Sequence, residues 1–253
     1  MKKIFIQNRK NQKVAVTIEN ENGKNGLVFV MHGLGDCKES EHIIAYGKPF
    51  LSKDFVVVKF DTTNTYGESD GEFENATLTN YYEDLEDVIQ WSKNQPFYRE
   101  KFVLLGHSLG AISCAIYSYR FGDLIACSIL LSSPINFELS KSVYSKEELE
   151  NWENKGYMEE DWGEFIVKLN WNYMEDKKKY DLLEYADKYK MPILMIAGEK
   201  DSVTPYDHQK KLYDLIPSKK QLSVINNGPH TFSDLKHLEE IQGIIGKWLD
   251  ELE

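Results

Sequence analysis

The chain has 253 residues, 42% of them hydrophobic, enough to bury one sizeable core; one domain carrying an insertion suits this length better than two equal domains. A formal net charge of −11 argues against nucleic acid or a stable membrane association, since nucleic acids and anionic lipids both demand a basic footprint. Three cysteines at unpatterned spacing (Cys37, Cys114, Cys127), no signal-peptide core behind the first lysines and no apolar run near membrane length together lead to an expected cytoplasmic location.

In chain order, "KKIFIQN" and "KVAVTIEN" read as an antiparallel hairpin at the edge of a sheet. Continuous apolar runs follow at 27–31, 55–60, 102–106, 125–132, 192–198 and 221–226. Runs without alternation suit strands buried on both faces, as in a parallel sheet covered by helices. Between them, Leu78, Tyr81, Tyr82, Leu85, Val88 and Ile89 share one helical face, and a last helix from about Asp234 repeats the pattern with Leu235, Leu238, Ile241, Ile245, Trp248 and Leu249. The expectation is an α/β fold, a mostly parallel central sheet with helices on it.

Residues 137–185 break the rhythm. They contain no convincing strand, three of the five tryptophans, and 13 acidic against 7 basic residues. They read as a helical cap inserted into a core made of 1–136 and 186–253.

Two stretches match Gly-x-Ser-x-Gly, "GESDG" at 67–71 and "GHSLG" at 106–110. An activated serine of this type sits on a sharp turn between a strand and a helix, with glycines where backbones approach closely. "FVLLGHSLGAISCAIYSYRF" supplies that order. "GESDG" follows its strand only after "DTTNTY" and starts no helix, so Ser108 is the candidate nucleophile and Ser69 a loop residue.

A serine hydroxyl needs a base to take its proton, and the base needs an acceptor to hold it. Asp201 follows the run at 192–198 and His230 follows the run at 221–226, so both stand at carboxyl ends of expected strands. The order Ser108, Asp201, His230 suits a triad on an α/β sheet. His42, His208 and His237 fall in or near helical patterns and read as solvated surface residues. The N–H groups of Leu109 and of Leu34, in "HGLGD", are the candidate oxyanion donors; His32 braces that loop. The glycine pair in "GLGDCK" is no dinucleotide fingerprint, because Lys38 fills the third glycine position. No metal or cofactor is expected, and Cys114 and Cys127 read as small buried hydrophobes, as does Cys37.

The combination "VMHGLGD", "FDTTNTYGESDG", "LLGHSLGA", "IAGEKDSVTP" and "NNGPHTF" resembles the α/β-hydrolase superfamily, in particular its monoglyceride lipase, serine aminopeptidase and cinnamoyl (feruloyl) esterase branch. The resemblance implies a serine hydrolase with a capped site and a small-molecule ester substrate. It also implies that Asp61 and the segment Ser69 to Gly71 are structural, supporting the oxyanion loop. Trp152, Trp162, Trp171, Tyr144 and Tyr157 are candidate substrate contacts, although packing beneath a cap explains such aromatics equally well. An aminopeptidase or lactonase on the same triad, or a ligand-binding protein without catalysis, are the competing readings.

Overall fold

The computed structural model of the protein describes residues 1–161 and 166–252. In chain order the strands are β1 (Lys2–Gln7), β2 (Lys13–Glu19), β3 (Gly26–Met31), β4 (Phe55–Phe60), β5 (Phe102–His107), β6 (Ile125–Leu131), β7 (Tyr157–Asp161), β8 (Ile166–Asn170), β9 (Ile193–Gly198) and β10 (Lys220–Ile225). Eight of them form one sheet in the order β1-β2-β4-β3-β5-β6-β9-β10. The β1–β2 hairpin joins it antiparallel; the strands from β4 to β10 in that order are parallel neighbours. Their carboxyl ends therefore share one edge of the sheet.

The continuous apolar runs are explained by burial on both sides. Leu27, Phe29 and Met31 of β3 face one core, while Val28 and Val30 face the other. Helices α1 (Glu41–Ser52) and, at the chain's end, α8 (Leu235–Asp250) cover the second core. The first is covered by α2 (Leu78–Ser92) and α3 (Leu109–Arg120). Thr77 and Asn80 start α2 with a reciprocal capping box, and Asp234 caps α8. In α8 the residues Leu238, Ile241, Ile245, Trp248 and Leu249 are buried, each contributing about 1.5–3 kcal/mol over exposure for a side chain of that size. No helix among the described residues is long and apolar enough to cross a membrane.

The stretch 137–185 departs from the expectation of a helical insertion without strands. It holds α4 (Phe137–Lys141), α5 (Lys146–Lys155) and α6 (Asn172–Lys177), but β7 and β8 pair antiparallel between them. The sequence concealed this hairpin because Glu159, Glu160 and Asp161 are poor strand formers. Tertiary contact decides instead: Val167 and Leu169 are buried on one face of β8, and Trp152 Nε1 donates to the Leu169 carbonyl at 3.0 Å. The remaining helix, α7 (Tyr206–Leu215), follows β9.

Candidate active site

Ser108 lies between β5 and α3 with φ 52° and ψ −119°, a left-handed conformation that costs a non-glycine residue roughly 1–3 kcal/mol. Its neighbours permit it. A Cβ on Gly106 would sit 2.4 Å from the Gly110 carbonyl oxygen, and one on Gly110 would sit 2.4 Å from that of His32. The turn is held by the Ser108 N–H donating to the Leu131 carbonyl at 2.9 Å, and by the Ser108 carbonyl accepting from Ala111 at 2.9 Å.

The structure brings Ser108, His230 and Asp201 together. His230 Nε2 lies 2.9 Å from Ser108 Oγ, and Nδ1 lies 3.0 and 3.1 Å from the two carboxylate oxygens of Asp201. Since a carboxylate only accepts, the ring proton belongs on Nδ1, leaving Nε2 to accept from the serine hydroxyl. Asp201 is fixed in turn by the N–H groups of Val203 and Thr204 at 2.9 and 2.8 Å and by the Thr204 hydroxyl at 2.7 Å. Desolvation alone would raise its pKa; the hydrogen bond and charge of His230, with the Thr204 donors, outweigh burial and hold the carboxyl well below its usual range.

The loop after β3 closes over the serine. A Cβ on Gly33 would lie 3.0 Å from Ser108 Cβ, so the glycine lets the next residue, Leu34, reach the site. Neither the N–H of Leu34 nor that of Leu109, the first residue of α3, donates to another described residue. His32 braces the loop as expected: Thr62 N–H donates to its Nε2 at 3.0 Å, which puts the proton on Nδ1 for the Gly33 carbonyl at 2.7 Å. Burial pushes the pKa of His32 down, consistent with a neutral ring.

Ser69 is far from this chemistry in its bonding. Its hydroxyl donates to the Asp61 carbonyl at 2.7 Å and accepts from Ala15 N–H at 2.8 Å. Asp61, fully buried, accepts from Lys38 N–H at 2.7 Å, Lys38 Nζ at 2.8 Å and Glu68 N–H at 2.8 Å. Lys38 Nζ also donates to Glu68 at 2.7 Å. The lysine that displaces a fingerprint glycine is thus a buried tie between the "HGLGD" loop and the "GESDG" loop. Cys114 and Cys127 are buried, whereas Cys37 is half-buried.

His42 corrects the sequence reading. It is buried, its Nε2 approaches Asp36 Oδ2 to 2.7 Å, and its ring packs 5.1 Å from that of His107. Burial would raise Asp36, but the adjoining His42 outweighs it and holds the carboxyl at about 2. His107 Nε2 donates to the His230 carbonyl at 2.9 Å, and burial together with His230 and His42 lowers its own pKa to about 3. Asp36, His42 and His107 bring three potential metal-ligating atoms within 4.8 Å of one another, a cluster invisible to spacing because its members come from a loop, α1 and β5.

A cavity of about 220 Å³ opens at Ser108 and His230, lined also by Leu34 and Phe73 and, from the stretch 137–185, by Tyr144, Met158, Tyr173 and Lys177. Of the expected substrate contacts, Tyr144 lies on its wall. Trp152 does not: its indole is spent on the Leu169 carbonyl and packs against Trp171 and Tyr173. Trp171 bonds Glu175 through Nε1 at 3.2 Å, and Tyr157 lies under Lys155 and Lys168. Trp162 lies outside the described residues. Tyr173 and Lys177 were missed because a tyrosine beside tryptophans and a lysine in an acidic helix carry no positional signal.

The profile described as alpha/beta hydrolase fold matches residues 26–161, more than half of the sequence and including the serine turn. The chain belongs to the alpha/beta hydrolase fold family. A second profile, serine aminopeptidase S33, matches residues 164–234 of this α/β hydrolase, the part carrying Asp201 and His230. Among curated relatives, an uncharacterized 31.7 kDa protein of the Escherichia coli traX-finO intergenic region is 24% identical, over 78% of this chain and 80% of its own length. YqkD of Bacillus subtilis is 23% identical, over 89% of this chain and 71% of its own. Solved structures of the same fold include Est1E of Butyrivibrio proteoclasticus with ferulic acid bound (TM-score 0.84, 21% identity, 98% of both chains). Mouse alpha/beta hydrolase domain-containing protein 10 superposes with TM-score 0.83 at 16% identity over all of both chains. The Pyrococcus furiosus esterase Pf2001 gives 0.74 at 20% identity, over 99% of this chain and 91% of that one.

Proposed function

We propose that this α/β hydrolase cleaves carboxylic esters through an acyl-enzyme. The observation that carries the reading is the unbroken chain from Ser108 Oγ through His230 to Asp201, each link at 2.9–3.1 Å. Ser108 Oγ attacks the ester carbonyl carbon while His230 Nε2 takes its proton; the Asp201 carboxylate supports the imidazolium. Collapse of the tetrahedral intermediate expels the alcohol, which receives that proton; water then attacks the acyl-serine with His230 again as base, the Oγ–acyl bond breaks, the acid leaves and His230 returns the proton to Ser108 Oγ. The N–H groups of Leu34 and Leu109 are the proposed donors to the oxyanion. Est1E with ferulic acid and the Pf2001 esterase, similar in fold, support ester chemistry.

The serine aminopeptidase profile favours a second reading, hydrolysis of an aminoacyl bond on the same triad. Such a site must hold a substrate ammonium, which a cavity lined by Lys177 disfavours. A panel of aryl and alkyl esters beside aminoacyl arylamides separates the two. A fluorophosphonate probe should label Ser108, and Ser108→Ala should lower kcat by ~10⁴-fold or more, whereas Ser69→Ala should leave kcat within a few-fold. Equal losses from both substitutions, or an unlabelled Ser108 in folded protein, would refute the assignment.

A further inference from the structure

Lys177, the last residue of α6, lines the cavity that contains Ser108, and only 7% of it is exposed. The protein pairs its other buried lysines with acids: Lys38 with Asp61 and Glu68, and Lys59 with Glu19 at 2.5 Å. Its helical neighbours are paired too, Lys178 with Glu175 at 2.6 Å and Lys179 with Asp176. Lys177 differs. Among the described residues no carboxylate oxygen lies within 4.0 Å of its Nζ and no oxygen accepts a hydrogen bond from it. The ammonium rests 4.4 Å from the centre of the Tyr173 ring, with apolar Val167, Leu169 and Met158 on the same cavity wall.

Holding an unpaired charge out of water is costly, and a protein tolerates it where something arrives to pair it. Burial pushes the Lys177 amine down to about 8, which leaves it mostly protonated at pH 7. Among the described residues the one acid on the cavity lining is Glu160, exposed on β7, and it forms no ion pair within 4.0 Å of the amine. Among the described lining residues Lys177 is the one lysine or arginine, a buried cation in a chain that carries −11 overall.

We propose that Lys177 is the recognition cation for an anionic group on the substrate, so that the preferred esters carry a carboxylate on either their acyl or their alcohol part. This rests on the proposed ester hydrolysis at Ser108. The anion pairs with Nζ while the reacting carbonyl meets Ser108, and the aromatic and apolar walls take the linking carbons.

The test compares matched aryl esters by kcat/KM. Butyrate against hemisuccinate places the anion on the acyl side; phenyl acetate against 3-acetoxybenzoate places it on the alcohol side. The wild type should favour the anionic member of at least one pair, and Lys177→Met should cut that anionic-to-neutral ratio by about 10- to 100-fold, the range of a charge-assisted hydrogen bond. Lys177→Gln, which keeps a polar tip, serves as a second variant should the first fold poorly. A wild type without preference in either pair, or a ratio unchanged in both variants, overturns the proposal. Calorimetric binding of succinate and 3-hydroxybenzoate is read alongside. If no ester is turned over, the ester reading fails; carboxylate binding that is lost in Lys177→Met still upholds the anion site, and equal binding by both proteins overturns it.

Discussion

Replacing Asp61 by Asn tests whether the buried tie behind the serine is structural in the way its geometry implies. The carboxylate accepts from two backbone N–H groups, those of Lys38 and Glu68, and from the Lys38 ammonium, at 2.7–2.8 Å. An amide of the same shape offers one oxygen and turns a donor NH₂ toward groups that are themselves donors. Lys38 is 1% exposed and keeps Glu68 at 2.7 Å, with Glu39 more distant at 3.7 Å. Removing one partner of a buried pair costs about 3–5 kcal/mol, and the surviving Glu68 contact sets the expectation at about 3. For a domain of 150–250 residues 1 kcal/mol moves Tm by about 2–4 °C, so Asp61→Asn should melt about 6–12 °C lower by calorimetry. Lys38→Met combined with Asp61→Asn removes the stranded charge and should recover part of the loss, with a coupling above about 1 kcal/mol. If the loop after β3 shifts, kcat falls by up to the ~10²–10³ that loss of one oxyanion donor costs. A variant melting within about 2 °C of the wild type would refute the reasoning.

Gly110→Ala should be more severe than an ordinary helix substitution, since its Cβ would meet the His32 carbonyl oxygen at 2.4 Å and Met31 Cβ at 2.8 Å. We expect a loss of about 3 kcal/mol or more by urea denaturation, in the range of severe overpacking, together with loss of activity; a stable, active variant would contradict it. For His107 the folded pKa of about 3 lies below the ordinary 6.5. The unfolded chain therefore binds a proton that the folded one refuses between these values. Stability is unaffected above pH 6.5 and falls on acidification, by up to about 1.4 kcal/mol per pH unit from this residue. His107→Gln, which can still donate to the His230 carbonyl, should flatten the stability slope between pH 6.5 and 4.5, and an unchanged slope would sink the assignment.

The sheet was legible because burial on both faces leaves uninterrupted apolar runs, as in "LVFVM" and "FVVVKF"; of the two glycines of "GHSLG", Gly106 is demanded by Gly110 within the same turn and Gly110 by His32 and Met31 at the end of β3. The meeting of Ser108, Asp201 and His230 could be anticipated because each follows a strand whose carboxyl end lies on one edge of the sheet. The hairpin β7–β8 could not, since its glutamates face solvent and its pairing depends on Trp152 and a buried Val167–Leu169 face. His42 and Lys177 were illegible for a related reason. Each sits in a helix where spacing suggests an outward polar side chain, and only long-range packing against His107 or around the cavity turns it inward. The fate of a polar helical residue is a tertiary property.

The way the stretch 137–185 is attached matters beyond its contents. The chain leaves the sheet after β6 and re-enters at β9, and these two strands are hydrogen-bonded neighbours. Asn136 bridges to Asp181 and the Leu182 N–H donates to the Ile135 carbonyl at 3.1 Å. Departure and return are stapled side by side, so the backbone between them closes a loop whose entropy grows only slowly with length. Lengthening, shortening or exchanging that excursion rebuilds one wall of the chamber while leaving the anchor points of Ser108, Asp201 and His230 in place. Under the proposed function, selectivity and reactivity would thereby be written on separable pieces of the polypeptide, so that one can drift or be re-engineered without dismantling the other.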